Sequence, residues 1–342
     1  MKSKILAILT LASIILTLCS CTVNDNKTDN IKPIGDSVNS VLASVPGHID
    51  KTISNGEIDV VIAAPVSVPK GGSIEEVLLT YEDTYTERMV NSLIYDIYDN
   101  VEHPSSYQWL VFRDSDSLRC SYSIEPNSLM SYYNNSDADY SGTYYDYEHI
   151  MDYGFFTQHT VSSDNNFGVG NAINEVKLYF EDYSDLSFEP YRVLAADTGN
   201  GDGYYTVWTQ CEYNGVSICP RLSNSPTGLG VTSWVSAGDG VYSFQGIFAL
   251  KATKQVPIES LVPFDSVFDL FCNNVSLFVS DDLEINSIKL EYFADKAYSD
   301  SYSLRPVWSF YGVANQNGTQ IEWVFCYYAD NGEFCYAGPL FY

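Results

Sequence analysis

Apolar residues hold every even position from Ile58 to Val68: Ile58, Val60, Ile62, Ala64, Val66 and Val68. A strand turns successive side chains to opposite faces, so this alternation buries one face and commits the chain to a sheet whose edges need backbone partners. Pro69-Lys70-Gly71-Gly72 then turns the chain, and a short second strand is expected near Val77 to Tyr81. Thr84-Tyr85-Thr86-Glu87 reads as a capping box. It opens a helix to about Tyr98, with Tyr85, Met89, Val90, Leu93, Ile94 and Ile97 along one side.

A comparable unit recurs later. Tyr242, Phe244, Phe248 and Leu250 alternate as along one strand, and Ile258 to Asn273 reads as a helix with Phe264, Val267, Phe268 and Phe271 inward. Four strands follow as a meander, around Ile288 to Tyr292, Leu304 to Tyr311, Ile321 to Tyr328 and Glu333 to Leu340. With 45% hydrophobic and 15% aromatic residues in 342, there is ample material for a core. The expectation is a strand-rich α+β fold, its antiparallel sheets each packed with one or two helices. Two subdomains are expected, at 46–160 and 161–342.

The close of the chain resembles a known group. Tyr302-Ser303-Leu304-Arg305-Pro306-Val307-Trp308-Ser309-Phe310, followed by an extended segment and Asp330-Asn331-Gly332-Glu333, is similar to the C-terminal strands of uncharacterised Gram-positive surface lipoproteins. A similar close occurs in the YycH/YycI-type extracytoplasmic regulators of a histidine kinase. The sequence departs from the group at the last turn, where Asp330-Asn331 replaces a small residue and Thr. For the lipoproteins the resemblance implies antiparallel α+β sheets and no established activity. For the regulators it implies work through protein contacts.

The N-terminus carries an address. Lys2 and Lys4 precede an uncharged apolar run from Ile5 to Leu18, which at 14 residues falls short of the roughly 20 that span a bilayer. Leu18-Cys19-Ser20-Cys21 resembles a bacterial lipobox. That resemblance implies a signal peptide over 1–20, cleavage before Cys21, and lipid attachment at Cys21 by diacylation, which suffices for stable anchoring. Residues 21–45 are polar and rich in Asn, Asp and Ser, and are expected to be a disordered tether. The expected location is the outer face of a cell membrane.

Charge narrows the partners. The chain holds 17 basic and 44 acidic residues; without Lys2 and Lys4 the balance is 15 against 44, a formal charge of −29. The acids divide 22 and 22 about residue 160, so the whole surface is anionic. Such a body repels nucleic-acid phosphates and anionic headgroups alike, leaving the membrane, through lipid, and a membrane-protein or cell-wall partner.

Six cysteines follow the lipobox: Cys120, Cys211, Cys219, Cys272, Cys326 and Cys335. Two pairs flank turns. A two-residue turn on Asn214-Gly215 places Cys211 opposite Ile218 and sends Cys219 to the other face; one on Asn331-Gly332 sets Cys335 opposite Tyr328. A disulfide within either hairpin therefore needs a change of register, and the pairing of the six stays open.

Asp137-Ala138-Asp139-Tyr140-Ser141-Gly142 and Glu148 match a 12-residue calcium loop, with Asp137, Asp139, Ser141, Thr143 and Glu148 as ligands. Tyr144 stands where an aliphatic residue belongs and neither flank is an amphipathic helix, so a solvated acidic loop explains the segment better than a metal site does. The Asp197 to Gly203 stretch has similar residue types with the wrong count and reads as a strand-to-strand turn. Seven tyrosines, Tyr132, Tyr133, Tyr140, Tyr144, Tyr145, Tyr147 and Tyr153, crowd 22 residues, which suits either a flat contact surface or packing on strands.

Catalytic material is sparse. Ser67-Val68-Pro69-Lys70 fits S-x-x-K and Ser163-Asp164-Asn165 fits S-D-N, but Pro69 denies the Ser–Lys pair its helix and no K-T-G follows. The four histidines sit in no H-E-x-x-H motif and no G-x-S-x-G occurs. The expectation is a non-catalytic binding or regulatory lipoprotein with no cofactor beyond the calcium candidate. The alternatives are a cell-wall glycan hydrolase using paired carboxylates, and a solute-binding lipoprotein of a transporter.

Overall fold

The computed structural model describes residues 36–54, 58–70, 74–82, 84, 85, 88, 110–114, 117–124, 130–134, 149–152, 168–197, 203–220, 229–236, 240–298, 301–316 and 319–340. The chain begins with β1 (Asp36–Ser37), helix α1 (Val38–Ser44), β2 (His48–Ser54), β3 (Asp59–Ser67) and β4 (Glu75–Tyr81). Next come β5 (Leu110–Asp114), β6 (Ser117–Ile124), β7 (Met130–Asn134), β8 (His149–Asp152) and helix α2 (Gly168–Phe180). Strands β9 (Ser187–Asp197), β10 (Gly203–Tyr213), β11 (Val216–Ser217), β12 (Gly230–Ser236) and β13 (Gly240–Ile247) follow. The chain closes with β14 (Leu250–Pro257), β15 (Ser260–Leu261), helix α3 (Phe264–Asn274), β16 (Leu283–Tyr298), β17 (Ser301–Gln316), β18 (Thr319–Tyr328) and β19 (Phe334–Pro339).

Two large sheets result, and with the helices they make the fold α+β. Among the described residues, one sheet has nine strands in the order β5-β6-β7-β13-β12-β10-β9-β8, with β11 on β10. The other has eight, β14-β4-β17-β16-β3-β2, with β18 and β19 continuing from β17. Ala172, Val176 and Phe180 of α2 lie on one stripe and are buried with the nine-stranded sheet, where the Phe180 ring meets Phe244 and Phe248 edge-on at 5.2 and 4.9 Å. The inward residues expected of α3 are all buried on the eight-stranded sheet: Phe271 stacks on Phe310 at 4.2 Å and Phe264 meets Trp308 edge-on at 4.7 Å.

The long alternation is β3, where Ile58, Val60, Ile62 and Ala64 are buried and their neighbours exposed. Its partners are β2 and β16. β3 and β4 do not pair, because β16 and β17 lie between them, and β3 runs parallel to β16, so this sheet is mixed. The alternation at 242–250 is two strands, β13 in one sheet and β14 in the other, broken at Phe248-Ala249. Helix α3 starts at Phe264 rather than Ile258, since residues 260–261 pair with β1 and Pro263 holds the position before the first turn.

Two boundaries also move. Residues 36–45, assigned by their polarity to the tether, contain β1 and α1; Val38, Val41, Leu42 and Val45 recur with helical spacing, and Val41 is buried. Both sheets take strands from either side of residue 160, and residues 34–342 cluster as one compact unit, so that position does not separate them. Thr84 departs too: its hydroxyl donates to Glu82 at 2.8 Å, while Glu87 and the helix expected to reach Tyr98 lie outside the described residues except at Thr84, Tyr85 and Arg88.

The meander β16 to β19 agrees with its sequence, and β17 organises it. One edge of this 16-residue strand pairs with β16, while the other pairs with β4 at Ser301–Leu304 and with β18 from Val307 onward. Arg305 and Pro306 fall where one partner ends and the other begins. The Pro306 carbonyl accepts from the Ala329 amide at 2.9 Å, so its nitrogen, which has no hydrogen to offer, faces the gap where no ladder bond is required. Arg305 lies over the Tyr328 ring at 3.8 Å and donates to both Asp330 oxygens at 3.1 and 2.9 Å. Gly332, at φ +71°, completes that turn by donating to the Tyr328 carbonyl at 2.8 Å. The Arg-Pro strand and the Asp-Asn-Gly turn are thus one assembly.

The Arg305 and Asp330 side chains are only 26% and 31% exposed. Asp330→Ala should therefore cost about 1–2 kcal/mol, through lost charge-assisted bonds. Urea unfolding would measure it, and an unchanged midpoint would show that the pair does not hold the turn.

Candidate functional site

At the end of β10, Asn214 and Gly215 adopt φ +50° and +76°, the mirror-image turn that closes a two-residue hairpin with β11. Ile218 donates its amide to the Cys211 carbonyl at 2.8 Å, so Cys211 faces Ile218 as the turn requires and Cys219 departs. Strand β3 accompanies β16 only as far as Lys289. Beyond it, Ile218 bridges Tyr292 in parallel and the Cys219 amide donates to the Tyr292 carbonyl at 2.7 Å. The hairpin of one sheet thereby hooks onto the edge of the other.

This hairpin borders a cleft of about 450 Å³ beside α2 and the start of β9. Glu181, Asp185, Glu189 and Glu212 line it against one ammonium, that of Lys177, with Leu186 and Phe188 beneath. Lys177 pairs with Glu189. Asp185 is fixed by the Tyr85 hydroxyl, whose pKa that bond pushes up to about 12, and by the Ala252 amide at 3.0 Å. Burial, and after it the neighbouring Glu189, raises the Glu212 carboxyl above its ordinary range.

Under the hairpin lies a buried polar network. Glu212 and Ser217 oppose each other across it, and Ser217 donates to Glu291 at 3.2 Å. Glu291 is wholly buried; the Tyr311 hydroxyl also donates to it, and Ser309 contributes a third bond. Burial raises its carboxyl, against the lowering influence of Lys289 and these hydroxyls, and burial lowers the Lys289 ammonium. Cys219 and Cys326 sit beside this network, their sulfurs 3.8 Å apart, with the Tyr311 hydroxyl 3.5 Å from Cys219 and Ser309 3.5 Å from Cys326.

Other candidates fall elsewhere. Cys21 and the calcium-loop residues Asp137, Asp139, Ser141, Thr143 and Glu148 lie outside the described residues, as do Tyr140, Tyr144, Tyr145, Tyr147 and Tyr153. Tyr132, Tyr133 and Cys120 are placed by backbone alone, on β7 and β6. Asp197 and Gly203 pair across β9 and β10, and residues 198–202 of the turn expected between them lie outside the described residues. Among the described residues no group of three or more His, Cys, Asp or Glu is placed to hold a metal, and no helix is long and apolar enough to cross a membrane.

Neither hairpin pair, Cys211 with Cys219 or Cys326 with Cys335, is joined by a disulfide. Cys211 packs in the core of the nine-stranded sheet, away from Cys219. The β18–β19 turn is longer than two residues, with Tyr327 opposite Phe334 and Cys326 opposite Tyr336, which leaves Cys335 in a bulge. Sequence reading missed Lys289 and Glu291: their alternation with Ile288, Leu290 and Tyr292 resembles a solvent face, whereas beside the hairpin Glu291 is wholly buried and Lys289 half-buried.

No family model matches the chain, and no curated protein matches it. Among solved structures, an uncharacterized protein from Eubacterium rectale is 14% identical, covers 86% of this chain and 95% of its own, and superposes with a TM-score of 0.57, a likeness of fold. The Bacillus megaterium YpeB C-terminal domain is a weak and distant neighbour, 14% identical over 76% of this chain and 98% of its own, with a TM-score of 0.31.

Because burial raises the Glu291 carboxyl, the folded chain retains a proton that the unfolded chain gives up near the ordinary value of 4.5. The folded state then binds more protons, and this group's contribution to stability falls as pH rises above that value toward the folded pKa. Glu291→Gln should thus gain on the wild type as pH rises above the ordinary carboxyl value of 4.5 in urea unfolding; parallel profiles would assign the network no such linkage.

Proposed function

We propose that this chain is an exported lipoprotein, diacylated on Cys21, whose α+β body acts at the outer membrane face as a non-catalytic binding or regulatory component. The charged leader and lipobox support the address, and the Arg-Pro-Val-Trp strand supports kinship with the surface lipoproteins and, more distantly, the YycH/YycI-type regulators. The observation that carries the binding reading is the cleft at α2 and the β10–β11 hairpin. Its four carboxylates against one ammonium, over an apolar floor, suit a cationic group on a membrane protein or wall component.

Cys21→Ser should release the chain from the membrane fraction, and the N-terminal peptide of the wild type should carry acyl chains; an unmodified thiol at Cys21 would end the anchoring claim. Crosslinking in intact cells should retrieve a partner whose yield drops when Glu181 and Glu189 are changed to Lys. A partner retained undiminished by that double change would place binding elsewhere.

One observation favours a second reading, a glycan hydrolase: Glu212, with its raised carboxyl, is a general-acid candidate beside Glu189. On that reading the purified chain releases sugars from cell wall and Glu212→Gln loses roughly 100-fold or more. Absence of release, or full activity in the variant, would remove it.

A further inference from the structure

Cys219 and Cys326 stand 107 positions apart in sequence, yet their sulfurs approach to 3.8 Å in the core. Each is held by a different part of the fold. Cys219 follows the β10–β11 hairpin and is fixed by the hydrogen bond that its backbone amide donates to the Tyr292 carbonyl; Cys326 lies within β18, opposite Ser309. Phe293, Val307, Tyr311, Val324 and Leu340 enclose the two sulfurs. Thiols in van der Waals contact need only a small side-chain adjustment to reach the bonding distance of about 2.05 Å.

We propose that Cys219 and Cys326 form a structural disulfide that fastens the hairpin hook to the eight-stranded sheet. One cysteine thiolate attacks an external disulfide, of a thiol–disulfide oxidoreductase or of oxidised glutathione, and expels one external thiol. The other cysteine thiolate then attacks the mixed disulfide and expels the second. The two protein thiols lose two protons and two electrons in all, and the external disulfide is reduced to two thiols. Burial raises the Cys326 thiol well above its ordinary value, and a buried protonated thiol is inert, so exchange takes place while the hook is still open. In the cell the oxidant comes with export, so there the proposal rests on the exported reading; in purified protein it does not.

The competitors are placed less well. Cys211 belongs to the core of the other sheet, Cys272 on α3 lies 3.8 Å from the Lys51 ammonium, and Cys335 occupies the β19 bulge, where Tyr336 rather than Cys335 opposes Cys326. A bond between Cys219 and Cys326 closes a loop of more than a hundred residues, which removes more freedom from the unfolded chain than either hairpin pairing.

The test uses the full chain in detergent, reduced and unfolded, refolded in a glutathione redox buffer, then alkylated in denaturant and digested. The expected result is one linked peptide pair joining Cys219 to Cys326, about 2 Da lighter than the two thiol peptides together. Its melting temperature should exceed that of the reduced chain by on the order of 5–10 °C. In Cys219→Ala that increment vanishes and Cys326 becomes alkylated. Complete alkylation of both residues in the refolded wild type, or a link from Cys326 to Cys335, would overturn the pairing without reference to any variant. If the link forms in buffer while protein from the cell membrane fraction has both thiols free, the exported reading fails and the pairing stands.

Discussion

Beyond Lys289 the edge of β16 has lost β3, and backbone donors and acceptors in a sheet interior must find partners. The residues that supply them, Ile218 and Cys219, come from the end of a hairpin in the other sheet. That single attachment fixes where the hairpin lies. The cleft that it borders, the covered carboxylate of Glu291 beside it, and the meeting of Cys219 with Cys326 all follow from its position.

The eight-stranded sheet thereby acquires two unlike faces. One packs Trp308, Phe310, Phe325 and Tyr327 against the phenylalanines of α3 and is held by ring contacts. The other carries Lys289, Glu291, Ser309, Tyr311 and Cys326 among apolar neighbours. A buried carboxyl is costly unless its oxygens are met, and three hydroxyls meet those of Glu291. Lys289 on the same face of β16 adds an attraction that burial of both groups offsets.

How much of this was legible in the sequence depended on whether a signal was local. Period-2 alternation placed β3, helical spacing placed the inward side of α3, and Asn214-Gly215 fixed its hairpin register to the residue. Pairing between distant segments was not legible, because alternation says which face is buried and nothing about the neighbour; hence β3 beside β16, and the split of 242–250 between two sheets. The candidate site shared that fate. Glu291 and Lys289 alternate with apolar residues like any exposed strand face, and Cys219 and Cys326 meet only through tertiary contact. In α1 the spacing of Val38, Val41, Leu42 and Val45 was present and was outweighed by the polar residues around it.

That N-terminal element has a mechanical consequence. Strand β1 is two residues long and pairs with Ser260 and Leu261 just ahead of α3, and α1 behind it is seated chiefly by Val41. Tension applied to the chain from its N-terminal side enters the body through this short ladder and the packing of Val38, Val41, Leu42 and Val45. Few bonds share the load there, so the ladder peels before β2 and the sheets feel the pull. The two-strand clasp is thus the point of entry for such a load, and both sheets lie behind it.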